Sequence, residues 1–188
     1  MTKKPEETNE NITILGFSNV KIMNTNKFLE QFRQENKEAP IQFFDAKHVA
    51  GKQHMYFAAL NALNTFSKKT NISNNIAVEA LLYASAQRQI TKAVTMLGLK
   101  KDTTDVVALI MPKNSNEKQD YQCLVTKIIP GERNDNVLEL TDKKMKGIQD
   151  LFEISDLELK TKLKKEGLEK EALIDLVIER MALLVTKS

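Results

Sequence analysis

The sequence predicts an α+β fold: a mixed, mostly antiparallel β-sheet covered by helices, with a helical layer at the C-terminal end. Three observations predict it. Short runs rich in Val, Ile, Leu and Phe, such as "ITILGFSNVKI" and "DVVALIM", read as strands. Between such runs lie segments with apolar residues at helical spacing. From about residue 143 to 186 the pattern is helical throughout. The element order β-α-β-α-β-α-β-β-α-α-α implies one sheet covered by helices. Residues 1–11 are polar and charged and are expected to be a disordered tail, which leaves 12–188 as a single domain.

The first strand is expected over 12–22, followed by a helix in "NTNKFLEQFRQENK" with Phe28, Leu29 and Phe32 on one face and Asn24 or Thr25 as cap. Pro40 closes the connection to a second strand, 41–49. "KQHMYFAALNALNTFSKK" is an amphipathic helix with Met55, Ala59, Ala62, Leu63 and Phe66 together; Phe57 falls on its polar side, to be covered by another segment or by a partner. "IAVEALLYA" (76–84) reads as a third strand, and "AQRQITKAVTMLGL" as a helix whose core face is Ile90, Ala93, Val94 and Leu97, with Gly98 as its C′ residue. "DVVALIM" and "YQCLVTKII" (121–129) read as a hairpin joined through "KNSNEKQD". "SDLE" has capping-box spacing, Ser155 to Glu158, with Ile154 and Leu159 in staple positions. Lys164, Lys165 and Gly167 end that helix, and "EKEALIDLVIERMALLV" forms the last one.

The 188 residues carry a net charge of +3, too weak a basic excess to imply indiscriminate nucleic-acid binding, so any such contact must be local. Cys123 is the single cysteine, which leaves no disulfide framework and no thiolate metal site; a small buried residue on a strand is the simplest reading of it. No apolar run is long enough for a transmembrane helix, and no signal peptide is evident at the start. A cytoplasmic setting fits. His48 and His54 lie six apart, outside the i, i+4 zinc pattern, and Asp45 and His48 would fall on opposite faces of a strand. Gly51-Lys52 lacks the remaining residues of a P-loop. No catalytic residues, no metal ligands and no cofactor site are expected. The chain reads as a binding protein.

Two features rise above this background. If residues 77–84 were a strand, Ser85 would cap the following helix and its free N–H groups would form an anion site, with Arg88 and Lys92 adding positive charge. Lys52, Gln53 and His54 open another helix after a strand; if the two strands were parallel neighbours, both helix starts would share one sheet edge. Ser85, Gln87, Arg88, Lys92, Lys52 and His54 are therefore the candidate residues for a short single-stranded nucleic-acid end. The alternative is that Arg88 serves a structural pair. The second feature is the last helix. Glu171, Asp175 and Glu179 form a narrow acidic stripe, and apolar residues fill an arc wider than a surface helix needs. Either it is buried between layers or one side meets a partner. Leu173, Leu176, Val177, Arg180, Met181 and Leu184 are the candidate partner surface.

The stretch "NIAVEALLYASAQRQITKAVTMLGLK" resembles the signature of the small regulatory, kinase-binding subunit of the KEOPS (EKC) complex, in its archaeal form. "FDAKHVAGKQHMYFAALNAL", "GIQDLFEISDLEL" and "LIDLVIERMALL" extend the resemblance to nearly all of 12–186. Ala86-Gln87 stands where many members carry Gly and another residue. The resemblance implies a non-catalytic subunit that binds the N-terminal lobe of the complex's small atypical kinase/ATPase and stimulates it. It also implies recruitment of tRNA through its single-stranded 3′ CCA end for threonylcarbamoyl-adenosine (t6A) formation, and indirect contact with the other KEOPS subunits. The alternatives are a pure protein–protein interaction module that binds the kinase without RNA, or a binder of a small anionic ligand.

Overall fold

The computed structural model describes residues 11–37, 39–163 and 165–184. The expected tail therefore lies outside the described residues except for Asn11, as does Lys164. Four strands form one sheet: β1 (Thr13–Ser18), β2 (Ile41–Asp45), β3 (Val106–Ile110) and β4 (Glu132–Arg133), in the order β2-β3-β1-β4. Every pairing is antiparallel, so the sheet is not mixed; Leu15 faces Ala108 in β1–β3, and Phe43 faces Ala108 in β2–β3. The strands are shorter than the sequence suggests. β2 stops at Asp45 because its carboxylate caps the short helical turn Ala46–His48, accepting from the Lys47 N–H at 3.0 Å.

Alternation along the strands sends two sets of side chains to two faces. Leu15, Phe17, Phe43, Val106, Ala108 and Ile110 pack under α1 (Thr25–Glu35) and α5 (Lys118–Ile128). Of the two expected candidates, Asn24 caps α1, accepting from Lys27 N–H at 3.0 Å, and Thr25 is the first helical residue. Ile14, Phe44, Val107 and Leu109 face the larger core, built with α2 (Lys52–Lys68), α3 (Ile76–Ala84), α4 (Ile90–Leu97) and the C-terminal helices. Gly16 is required on this side, since a Cβ there would lie 2.5 Å from Asn134 O and 2.8 Å from Val137 Cγ2.

Two expected strands are helices. Residues 76–84 form α3, whose residues from Ala77 to Ala84 are all buried except Val78. A helix enclosed on every side is apolar all round, so its run of apolar residues mimics a buried strand. Asn75 caps it, accepting from the N–H groups of Ala77 and Val78 at 2.9 and 3.2 Å. Residues 121–129 belong to α5 and its C-cap, not to a hairpin strand. Tyr121, Leu124, Val125, Ile128 and Ile129 recur at helical spacing and meet the sheet, while Cys123 is exposed rather than buried. In α4 only Ala93 and Leu97 are buried; Ile90 and Val94, expected in the core, are 49% and 43% exposed. Gly98 follows α4 with a negative φ of −70°, and a Cβ there would lie 2.6 Å from Val94 O. It is a close-approach glycine, not a left-handed cap.

Helices α6 (Asp142–Leu151), α7 (Asp156–Lys162) and α8 (Glu169–Ala182) complete the chain. The capping box at α7 forms as expected, with Glu158 N–H donating to Ser155 Oγ at 3.2 Å and Ser155 N–H to Glu158 Oε2 at 2.8 Å. Ile154 is buried and Leu159 packs on the same core. Phe57 is half-buried against that core too, so the protein itself covers much of it.

Candidate functional site

The turn between α3 and α4 sets the geometry of the candidate site. Ser85 is the last residue of α3's terminal turn rather than the cap of the next helix. It is fully buried, and its hydroxyl reaches Leu81 O at 2.9 Å and Leu82 O at 3.1 Å. Ala86 then adopts the left-handed conformation, φ 52°. Its N–H donates to Tyr83 O at 2.9 Å and the Gln87 N–H to Leu82 O at 3.0 Å, the paired bonds of a Schellman termination. Helix α4 starts only at Ile90, after Gln89, with no side chain capping it. The expected anion site capped by Ser85 is therefore not formed, because the Ser85 hydroxyl is committed to carbonyl groups.

A cleft of about 560 Å³ opens beside this turn. Ser85, Ala86 and Gln87 form one lip, and Thr91, Lys92, Thr95 and Met96 of α4 form a wall. The opposite wall is the turn after α6, Leu151–Glu153, together with Arg180 of α8. That turn is also a Schellman termination: Glu153 has φ 53°, its N–H donates to Asp150 O at 3.2 Å and the Ile154 N–H to Gln149 O at 2.9 Å. Two left-handed, non-glycine residues thus line the same cleft. Arg180 is held in place by Glu158 Oε1 at 2.5 Å and by the carbonyl oxygen of Glu153 at 3.3 Å. The N–H of Ser155 and the guanidinium of Arg180 hold the Glu158 carboxyl down to about 2.

The structure groups only some of the candidate residues. Ser85, Gln87 and Lys92 line the cleft, and Arg180, assigned from sequence to the partner surface, joins them. Arg88 is exposed and its Nη1 reaches Leu184 O at 3.5 Å. Lys52 lies in a different cleft of about 580 Å³, with Asp135, Lys170 and Glu171. His54 is fully buried: its Nδ1 accepts from Ala50 N–H at 3.1 Å and its Nε2 meets Ala84 O at 2.8 Å. The proposed sharing of one sheet edge fails because 76–84 is not a strand. Among the described residues no group of three or more His, Cys, Asp or Glu side chains could hold a metal ion.

The last helix resolves toward burial between layers. Leu173, Val177 and Met181 are fully buried, and Leu176 and Leu184 nearly so. They pack against the core and present no surface to a partner. The acidic stripe faces solvent, with Glu179 paired to Lys162. Exposed apolar side chains lie elsewhere: at Met23, Leu157 and Leu168, at Ile90 and Val94 on α4, and at Leu183 just past the end of α8. The bond from Arg88 to Leu184 O ties those two elements together. Sequence reasoning missed Ile90, Val94 and Glu153. The signal for the first two was the brevity of α4, which Ala93 and Leu97 suffice to anchor.

Residues 17–184 match the family described as Kinase binding protein CGI-121. The curated protein named Regulatory protein Cgi121, from Methanocaldococcus jannaschii, is 33% identical over 136 residues, spanning 72% of this chain and 83% of that protein. With the family match covering most of the chain, the chain belongs to the CGI-121 family of kinase-binding proteins.

Proposed function

We propose that this chain is the non-catalytic KEOPS subunit that binds and stimulates the complex's small kinase/ATPase and recruits tRNA through its single-stranded 3′ CCA end for t6A formation. The observation that carries the reading is the division of α4 into faces. Ala93 and Leu97 anchor the helix in the core, while Thr91, Lys92 and Thr95 line the cleft. Ile90 and Val94, one turn apart, are each about half exposed. Exposed neighbouring apolar side chains mark interaction surfaces, and the family's description supplies the occupant, a kinase. The cleft, with Lys92, Arg180, Gln87 and two threonines, offers phosphate partners and hydrogen bonds suited to a short single strand. One short helix thus serves both partners, and contact with the other subunits runs through the kinase. A cytoplasmic location accords with a tRNA substrate.

The bond from Arg88 to Leu184 O favours a second reading, a kinase-binding module whose basic residues are structural. Binding to tRNA with and without its 3′ CCA separates the two. Selective loss on trimming supports recruitment, and no binding to either RNA leaves the interaction module.

A further inference from the structure

We infer that His54 is the positioning residue of this cleft: one buried imidazole sets the separation of its two walls, and with it the fit of an RNA 3′ end. The inference rests on the proposed binding of RNA there. His54 itself meets no ligand, because its side chain is fully buried. The two walls end in the same device. Ala86 and Glu153 are the left-handed residues of two helix-terminating turns, at φ 52° and 53°. Ala84 lies shortly before the first and Phe152 immediately before the second. The imidazole meets both.

The end of a helix leaves its last four carbonyl groups without partners inside the helix. In α3, three of them find partners in the chain just beyond. Leu81 O takes the Ser85 N–H at 3.0 Å, Leu82 O the Gln87 N–H at 3.0 Å and Tyr83 O the Ala86 N–H at 2.9 Å. The fourth, Ala84 O, is met from α2, by His54 Nε2 at 2.8 Å. On the other side the ring stands edge-on to Phe152, with 5.6 Å between centroids and 80° between planes, and Phe152 lines the cleft. Nδ1 is filled by the Ala50 N–H at 3.1 Å. That bond fixes the tautomer, so Nε2 donates, and it fixes the rotation of the ring. The base is firm, since the neighbouring Met55, Ala58, Ala59 and Ala62 bury α2 in the core. A cleft whose walls are already set loses less to ordering when its ligand enters. RNA affinity therefore carries the geometry of an imidazole that the RNA never touches.

The test separates the two nitrogens of the ring. His54→Gln carries an amide N–H to the reach of Nε2 and keeps a donor for Ala84 O; His54→Asn reaches only as far as Nδ1 and loses it. Affinity for one tRNA, intact and trimmed of its CCA, is measured with the full chain at one salt concentration, well below the Tm of each variant. The native intact-to-trimmed ratio is expected to be about tenfold or more. His54→Asn should bring it close to one, and His54→Gln should retain most of it. A histidine with a structural role alone would lower Tm in both variants and leave both ratios native. That result, or equal loss in both variants, overturns the positioning role and leaves the cleft reading intact. A native ratio of one overturns both. The native protein supplies a second measurement, which decides the matter if His54→Asn does not fold. The Nε2 proton should exchange with solvent more slowly with intact tRNA bound than in the free protein, and an unchanged rate in the complex overturns the inference.

Discussion

His54 Nε2 lies 2.8 Å from the carbonyl oxygen of Ala84, joining the first turn of α2 to the end of α3 immediately before the left-handed turn that borders the cleft. The Ala50 N–H fills Nδ1, so Nε2 carries the proton and donates. The ring also lies edge-on to Phe152, 5.6 Å between centroids, which reaches the opposite wall of the cleft. A residue first assigned to contact RNA instead fixes the two sides of the site relative to each other.

This burial makes stability depend on pH. Desolvation lowers the His54 pKa from 6.5 to about 4, outweighing the hydrogen bond to Ala84. The unfolded chain therefore binds a proton first as pH falls. Stability is fully present above about pH 6.5, declines through that window and levels off below about pH 4. The loss should be about 3 kcal/mol. Burial also lowers the His48 pKa, with the same sign. Urea unfolding across this range should show a smaller slope in His54→Gln than in the native protein.

Removing the buried Glu79 carboxylate should destabilise the fold. It is fully buried and accepts from Thr65 Oγ1 at 3.1 Å, Ile72 N–H at 3.0 Å and Ser73 N–H at 2.7 Å. It organises the loop that leads into α3. Glu79→Ala leaves these donors unpaired and should cost about 3 kcal/mol, with Glu79→Gln costing about half as much. Equal stability of Glu79→Ala and native protein in denaturant titration would contradict this role.

Ala86→Gly should stabilise the fold. The left-handed conformation costs a non-glycine residue about 1–2 kcal/mol, partly offset by the greater entropy glycine loses on folding. A net gain near 0.5–1 kcal/mol corresponds to a rise of about 2 °C in Tm. The same exchange at a helical position such as Ala80 should lower Tm instead.

Ile90→Asp and Val94→Asp should weaken kinase binding by about tenfold or more with a smaller change in Tm than a core substitution, because close to half of each side chain is already exposed. Leu173→Ala should act oppositely. It opens a cavity in the core and should cost about 2–5 kcal/mol. A pull-down with the kinase, paired with thermal melts, distinguishes loss of a surface from loss of the fold.

The α+β class, the strands β1 and β3, the Asn24 cap and the Ser155–Glu158 box were legible because local chemistry decides them. The two misread elements were not decided locally. "IAVEALLYA" is uniformly apolar because neighbours enclose it, and only its Ala and Leu content and the Asn75 cap favoured a helix. "YQCLVTKII" has strand-forming composition, but its apolar residues recur every three to four positions. The site suffered from the first error. Moving 76–84 from strand to helix turned Ser85 from an N-cap into a buried C-terminal residue and detached Lys52 from the cleft. Lys92 and Gln87 kept their place because they follow the turn whichever element precedes it. The width of α8's apolar arc was read correctly as two alternatives, and exposure, which no single sequence reveals, chose between them.

The proposed seat of an RNA 3′ end is the cleft between Gln87, Lys92 and Glu153. Its most direct test is the affinity for one tRNA before and after removal of CCA, measured at fixed salt with native protein and Lys92→Glu. Trimming should weaken native binding by about tenfold or more, and Lys92→Glu should bind intact tRNA no better than native protein binds the trimmed form. Equal affinity of native protein for both RNAs would contradict it.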